Sequence, residues 1–398
     1  MSLHAQIYNA IQKDYIHSAY LVKNKPKEII QDNPIIEINH QGEYVLSFDD
    51  LSLKYANYQL RIIHCQANWV PSNLNEIEYL SDFNDTPIRE NANSFGTKIP
   101  YLHYQISLPK VRISGNYIAQ VYLNRNKKDT VLTKRFSVVE NELIVAGKIT
   151  FAKRNEFRLS HQAIELNLSY PENLLLSGDE NLKIIVRRNS NSDNLLPHLP
   201  QPSINAFDRK ISYLFFDNEN NIPGSNEYRM IDLRSTQQKL NFVANIQALE
   251  NYTQITTYPE TPQGNYSYTQ KMDMNGAIVI ENYENPDNNL QADYVWCNFI
   301  LKSRKWEDEG IYVGMLPNSY QLKPAFKMEY DDSNGIYTKK ILLKQGIYNY
   351  HYLSNNLSNT SLEGNYSQTE NQYEILVYFR KPGQRYDSLI GYQRIIYP

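Results

Sequence analysis

Glycine is scarce, with 15 in 398 residues. A chain this poor in glycine has few places to cradle a phosphate with backbone N–H groups. Accordingly it holds no G-x-x-x-x-G-K-[ST], no G-x-G-x-x-G and no G-x-S-x-G. Cysteine is scarcer still, with two residues, Cys65 and Cys297, far apart in sequence. Neither has metal-ligand spacing to another Cys or to a His pair. Both lie in apolar, strand-like runs, 62–65 and 295–299, so two buried free thiols are expected rather than a disulfide scaffold. Charge of one sign is missing too. The 40 basic and 43 acidic residues leave a net charge of −3. A nucleic-acid partner is therefore not expected, since such binders concentrate basic charge on one face. The densest basic run, 124–128, stands beside Asp129 and reads as a polar hairpin tip. No apolar run is long enough to cross a bilayer, so direct membrane insertion is not expected. The first residues carry no signal peptide. His4-Ala5-Gln6 could be the remnant of a cleavage site, which hints at export.

Catalytic patterns are equally thin. The eight histidines, at 4, 17, 40, 64, 103, 161, 198 and 351, form no HExxH or HxH pair. His64 and Cys65 are adjacent, but neighbours on a strand point to opposite faces. They could act as thiol and base only across a bulge. Carboxylates cluster at 49–50, 307–309 and 331–332, with nothing in sequence to bring two of them together. Asp331-Asp332-Ser333-Asn334-Gly335 lacks the alternating acids and distal Glu of a calcium loop and reads as a turn closed by Gly335. No catalytic, cofactor-binding or metal-ligating residue is singled out. A protein that is not an enzyme, with no cofactor, is expected.

What the chain does have is strands. Hydrophobic residues make up 41% and aromatics 12%, with 33 tyrosines. Tyrosine suits half-buried pleated surfaces, and the abundant asparagine suits turns. In 116–123, Tyr117, Ala119, Val121 and Leu123 alternate with other residues, the period of a half-buried strand. Similar runs occur at 43–48, 58–64, 102–108, 133–139, 143–151, 163–170, 182–187, 210–216, 292–301, 310–314, 336–343, 348–353 and 373–379. The one helix candidate is 241–250. The length calls for two or three cores. We therefore expect an all-β chain of tandem β-sandwich domains set in a row. An immunoglobulin-like sandwich is expected over 17–140, a sandwich with long loops over 141–285, and a starch-binding-like (early-set) sandwich over 286–398.

Several segments, in order, resemble one family. They are 46–51, His64-Cys65-Gln66-Ala67-Asn68-Trp69, 72–74, 78–83, 94–97, 101–104, Ser114-Gly115-Asn116-Tyr117 and Arg135-Phe136. The middle of the chain adds Gly224-Ser225-Asn226-Glu227-Tyr228-Arg229 and 273–276. The last part adds 293–295, 343–348, 363–365 and 369–373. This set is similar to the type IX secretion system plug proteins of Bacteroidetes. The resemblance implies a non-catalytic periplasmic protein, expected to be a monomer. It also implies a partner, the very large outer-membrane translocon barrel of the SprA class, whose periplasmic opening the plug would seal. The chain departs from the family at Asn68 and in the loop 189–194. Each quoted residue also has a structural duty available. Trp69 fits a core of the first sandwich. Asp49 and Asp50 fit a loop cap or a pairing with Arg61. Asn226, Glu227 and Arg229 fit a buried network holding a loop. The glycines of 114–116 and 224–226 fit turns. The tyrosines suit either strands or a contact surface. An envelope carbohydrate-binding or glycan-processing accessory protein is the alternative. It would need aromatic platforms, and Tyr320 stands near where the first would fall.

Overall fold

Twenty-seven strands carry the fold of the residues that the computed structural model describes, which are 6–25, 28–172, 174, 181–190, 194–306, 310–355 and 359–398. The chain is all-β, as its alternation predicts.

The first sandwich holds β1 (Ala10–Ile11), β2 (Ile16–Lys23), β3 (Ile35–Glu37), β4 (Tyr44–Asp50), β5 (Tyr58–Cys65), β6 (Thr86–Pro87), β7 (Glu90–Asn93), β8 (Leu102–Ser107), β9 (Gly115–Leu123) and β10 (Asn126–Val139). One sheet runs β1-β10-β9-β5-β6 with β3 beside β10, and the other runs β2-β4-β8-β7. Leu46 and Phe48 from one sheet meet Leu60, Ile62, Val121 and Leu132 from the other. The run 124–128 does make the β9–β10 hairpin, with Asn124 and Arg125 both at positive φ.

The second sandwich begins with β11 (Ile144–Phe151), β12 (His161–Ser169), β13 (Leu182–Arg188), β14 (Ser203–Asn205), β15 (Lys210–Tyr213) and β16 (Asn221–Pro223). All but β13 form one sheet, ordered β11-β12-β15-β14 with β16 beside β12. The chain then leaves it. β17 (Arg229–Asp232), β18 (Val243–Ala248), β19 (Thr253–Thr257), β20 (Ile278–Ile280), β21 (Tyr294–Lys302), β22 (Ile311–Met315), β23 (Glu329–Asp331), β24 (Ile336–Lys344) and β25 (Gly346–Ser354) build the third sandwich. Its sheets are β17-β25-β20 with β22 beside β25, and β18-β19-β21-β24-β23. Only then do β26 (Asn371–Phe379) and β27 (Ser388–Tyr397) return to the second sandwich, in the sheet β13-β26-β27.

The third sandwich is thus inserted into the second. The pairing of β13 with β26, from Leu182 opposite Phe379 to Arg188 opposite Tyr373, crosses the expected boundary at 285. Strands 229–280, expected in the middle unit, lie in the third, and 371–397, expected in the third, lie in the second. The segment 241–250, expected as a helix, contains the edge strand β18. Its pairing with β19 overrides the helix preference of Ala, Gln, Leu and Glu.

The sandwiches do not stand in a row either. The first packs on both others. On β2, Ala19 and Leu21 face the first core while Tyr20 and Val22 face the third. On β26 every residue is buried, because both faces are covered. Tyr373, Ile375, Val377 and Phe379 fill the second core, and Leu376 and Tyr378 meet Ala67 and Val139 of the first sandwich.

Candidate functional site

The residues that suggested chemistry in sequence are committed to structure. His64 and Cys65 end β5 with no bulge against β9. The His64 Nδ1 lies 2.8 Å from the Ser72 hydroxyl, and Cys65 packs with Trp69 and Ile118. Burial pushes the Cys65 thiol up to about 12 and the His64 imidazole down to about 4. A neutral thiol beside a neutral imidazole is not an activated nucleophile. Cys65 and Cys297 are both free and buried. Asp331 accepts from the N–H groups of Ser333 and Asn334, and Gly335 takes φ +65°, so this run is the turn of the β23–β24 hairpin. The run 307–309, the loop positions 191–193 and the first five residues lie outside the described residues.

Trp69 does not enter the first core. It sits on the outer face of the sheet, under the Arg135 guanidinium, 4.5 Å from its ring centre. Tyr320 folds inward, donates to the Gly276 carbonyl at 2.8 Å and meets Tyr228 edge-on. Asp50 caps a loop through the Ser52 N–H and accepts from the Tyr58 hydroxyl, both at 2.8 Å. Arg61 bonds to Gln120 instead of to either aspartate.

Asp49 has a role that sequence reasoning missed. On β4 it is fully buried where the first sandwich meets the third. It accepts from His103 Nδ1–H at 2.6 Å, from Lys344 Nζ at 2.7 Å and from the Tyr294 hydroxyl at 2.7 Å. Burial pushes its carboxyl up, but Lys344 and His103 together outweigh that and hold it below the usual carboxylate range. Lys344 and Tyr294 come from the third sandwich, so this cluster bonds two domains. Beside it, Asp293 accepts from the N–H groups of Lys98 and Ile99 across the same junction. Only a long-range partner gives Asp49 this role, so no local pattern could reveal it.

The other junctions repeat the scheme. Between the first and second sandwiches, buried Arg187 donates to Glu374 at 2.7 Å and to the Asn33 carbonyl at 2.8 Å, and the Tyr392 hydroxyl donates to Glu374. At the third sandwich, Arg229 grips Glu363 through two contacts of 2.9 and 3.0 Å and pairs with Glu260 at 3.1 Å. Asn226 donates to the Glu363 carbonyl, and Glu227 accepts from Tyr268. The network expected for Asn226, Glu227 and Arg229 is present, and it holds the segment that leads back to β26.

These clusters also locate the tyrosines. Tyr58, Tyr122, Tyr268, Tyr294, Tyr350, Tyr352 and Tyr392 each end on a carboxylate. A buried phenol supplies apolar area and one donor, which a buried carboxylate needs. Many of the tyrosines therefore serve the interior, while Tyr55, Tyr258, Tyr266 and Tyr283 stay exposed. The large exposed apolar side chains are mostly other residues, with Phe83 at 97%, Phe207 at 95%, Met272 at 93% and Phe216 at 85% exposure. One group gathers at an end of the second sandwich. There an Arg154–Asp217 ion pair of 2.9 Å joins the loops that carry exposed Leu159 and Phe216. Nearby, Phe151 meets Tyr397 edge-on at 5.9 Å, next to exposed Ile396.

Comparison with known proteins bears on this architecture. Residues 16–140 match the family model for the first domain of type 9 secretion system plug proteins. No curated protein matches the sequence. A crystal structure of a hypothetical protein from Parabacteroides merdae superposes with a TM-score of 0.88 at 28% identity, over 98% of this chain and 100% of that one. That protein therefore shares the fold over its whole length, insertion included.

Proposed function

We propose that this chain, whose residues 16–140 match the family model for the first domain of type 9 secretion system plug proteins, is a non-catalytic periplasmic stopper. It binds the periplasmic opening of the outer-membrane translocon barrel, of the SprA class, and seals it. The match over residues 16–140 carries the reading. The geometry supports it, because a seal must resist deformation. Three sandwiches joined by buried ion pairs resist separation, since pulling them apart would leave those charges unpaired. The exposed Phe, Leu, Ile and Met side chains supply the contact area. The sugar-binding alternative loses Tyr320 as a stacking platform, because that ring is turned inward.

The test is a pull-down from outer membranes of the native host with the tagged chain as bait. The stopper reading expects the large translocon barrel to be retained without its carrier subunit and cargo. Retention of glycans or unrelated lipoproteins alone would sink it.

A further inference from the structure

On β10 the core-facing positions run Leu132, Lys134, Phe136 and Val138. Lys134 breaks the apolar series. It stands opposite Ala119, whose small side chain leaves room for it, and it is only 6% exposed. A buried ammonium normally has an acid partner, because losing its hydration alone is costly. Lys134 makes no hydrogen bond or ion pair with the described residues. Its ammonium lies over the Tyr20 ring, 5.7 Å from the ring centre.

The ammonium faces a cavity of about 550 Å³ between the first and third sandwiches. Lys323 reaches the same cavity from the loop after β22 and also lacks an ion pair among the described residues. Burial, and then the charge of Lys134, hold Lys323 below the ordinary lysine range, and both side chains line this one cavity. Asp32 is close enough to be felt by both but pairs with neither. The cavity's other lysines include Lys13 and Lys344, which are matched by Asp129 and Asp49. Its one acid among the described lining residues is Asp14. The remaining wall is largely apolar. Trp296 and Leu342 are cross-strand partners on the outer face of the β21–β24 ladder, and Phe326 lines the same cavity. A mostly apolar hollow with a few convergent polar groups is the usual form of a ligand site.

We propose that this cavity binds an amphiphilic carboxylate, a single acyl chain whose head lies between Lys134 and Lys323 and whose body lies on Trp296, Leu342 and Phe326. Two lysines present compact point charges without the fork of an arginine, which suits a small single head. The proposal does not rest on the secretion reading.

The test is a titration of the whole chain with dodecanoate and with dodecanol, followed by tryptophan fluorescence and calorimetry. Saturable dodecanoate binding, at least tenfold tighter than dodecanol, is expected. Lys134→Met should weaken dodecanoate at least tenfold without lowering the thermal midpoint, because an unpaired buried charge is removed. Lys323→Gln, on a loop, should weaken it at least threefold with the fold intact. No saturable dodecanoate signal, equal binding of the alcohol, or unchanged affinity in both lysine variants would overturn the proposal.

Discussion

Lys344 and Asp49 lie 2.7 Å apart with almost no access to water. Such a pair gains little over two apolar residues, but breaking it strands a charge, at about 3–5 kcal/mol. Lys344→Met should therefore destabilise the chain by about that much in urea unfolding. Adding Asp49→Asn should recover part of the loss, because the stranded charge disappears. A loss below about 1 kcal/mol in the single variant would contradict the assignment of this junction. The buried titratable groups make a second case. Burial, then the Arg229 charge, push His351 down to about 3 from 6.5. Between those values the unfolded chain binds more protons than the folded one, so stability falls as pH falls. Asp273 works in the opposite direction. Burial raises it from 3.8 to about 6, so across that window the folded chain holds the extra proton and gains stability as pH falls. His351→Gln should flatten the acid loss between pH 6.5 and 4.5 by up to about 1.4 kcal/mol per pH unit. Asp273→Asn should steepen it, by less, because this side chain is not fully buried. Denaturant midpoints at three pH values decide both, and parallel profiles for parent and variants would reject them.

At the scale of elements, alternation and turn residues made most strands legible, because a strand with one buried face writes its period into its own sequence. β12 and β24 are such cases, whereas β9, read as half-buried, is covered on both faces. β18 was not legible. Its Val-Ala-Asn-Ile-Gln-Ala stretch satisfies a helix locally, and only the ladder to β19 selects extension. The segment Gly224-Ser225-Asn226, expected as a turn, is irregular chain between β16 and β17, and its unusual backbone angle falls on another residue. Ser225 takes φ +63°, while Gly224 has no positive φ. Gly224 is needed for space instead. A Cβ there would stand 2.0 Å from the Tyr366 carbonyl oxygen, on backbone that cannot simply rotate away. Gly224→Ala should therefore cost about 1–3 kcal/mol, the usual range for overpacking. Ser225→Gly should be neutral or mildly stabilising, because glycine tolerates that conformation. Thermal midpoints that moved in the opposite order would refute this account of the segment.

At the scale of the molecule, the domain plan was the least legible feature. β13 pairs with β26 across the entire third sandwich, and no local pattern announces a partner that far along the chain. The polar run near 285 suggested a boundary because boundaries usually look like that. The true joins are hidden by their own hydrogen bonding. Asn371 donates to the Gly224 carbonyl at 2.8 Å, so the chain enters and leaves the third sandwich at almost one point. Gln162 of β12 fastens the same spot through the carbonyls of Ser367 and Thr369. An insertion whose ends touch can be removed without pulling its host apart. Replacing residues 227–368 by a short Gly-Ser linker should therefore leave the first and second sandwiches folded. Their own sheets and the contact of Leu376 and Tyr378 with Ala67 and Val139 all remain. Far-UV circular dichroism should keep its strand signature, and heating should give a cooperative transition. The fragment 286–398 should do neither, because it would part β26 from β13 and β21 from β19. If that fragment folded and the deletion did not, the units would follow one another along the chain, and the nested arrangement would be wrong.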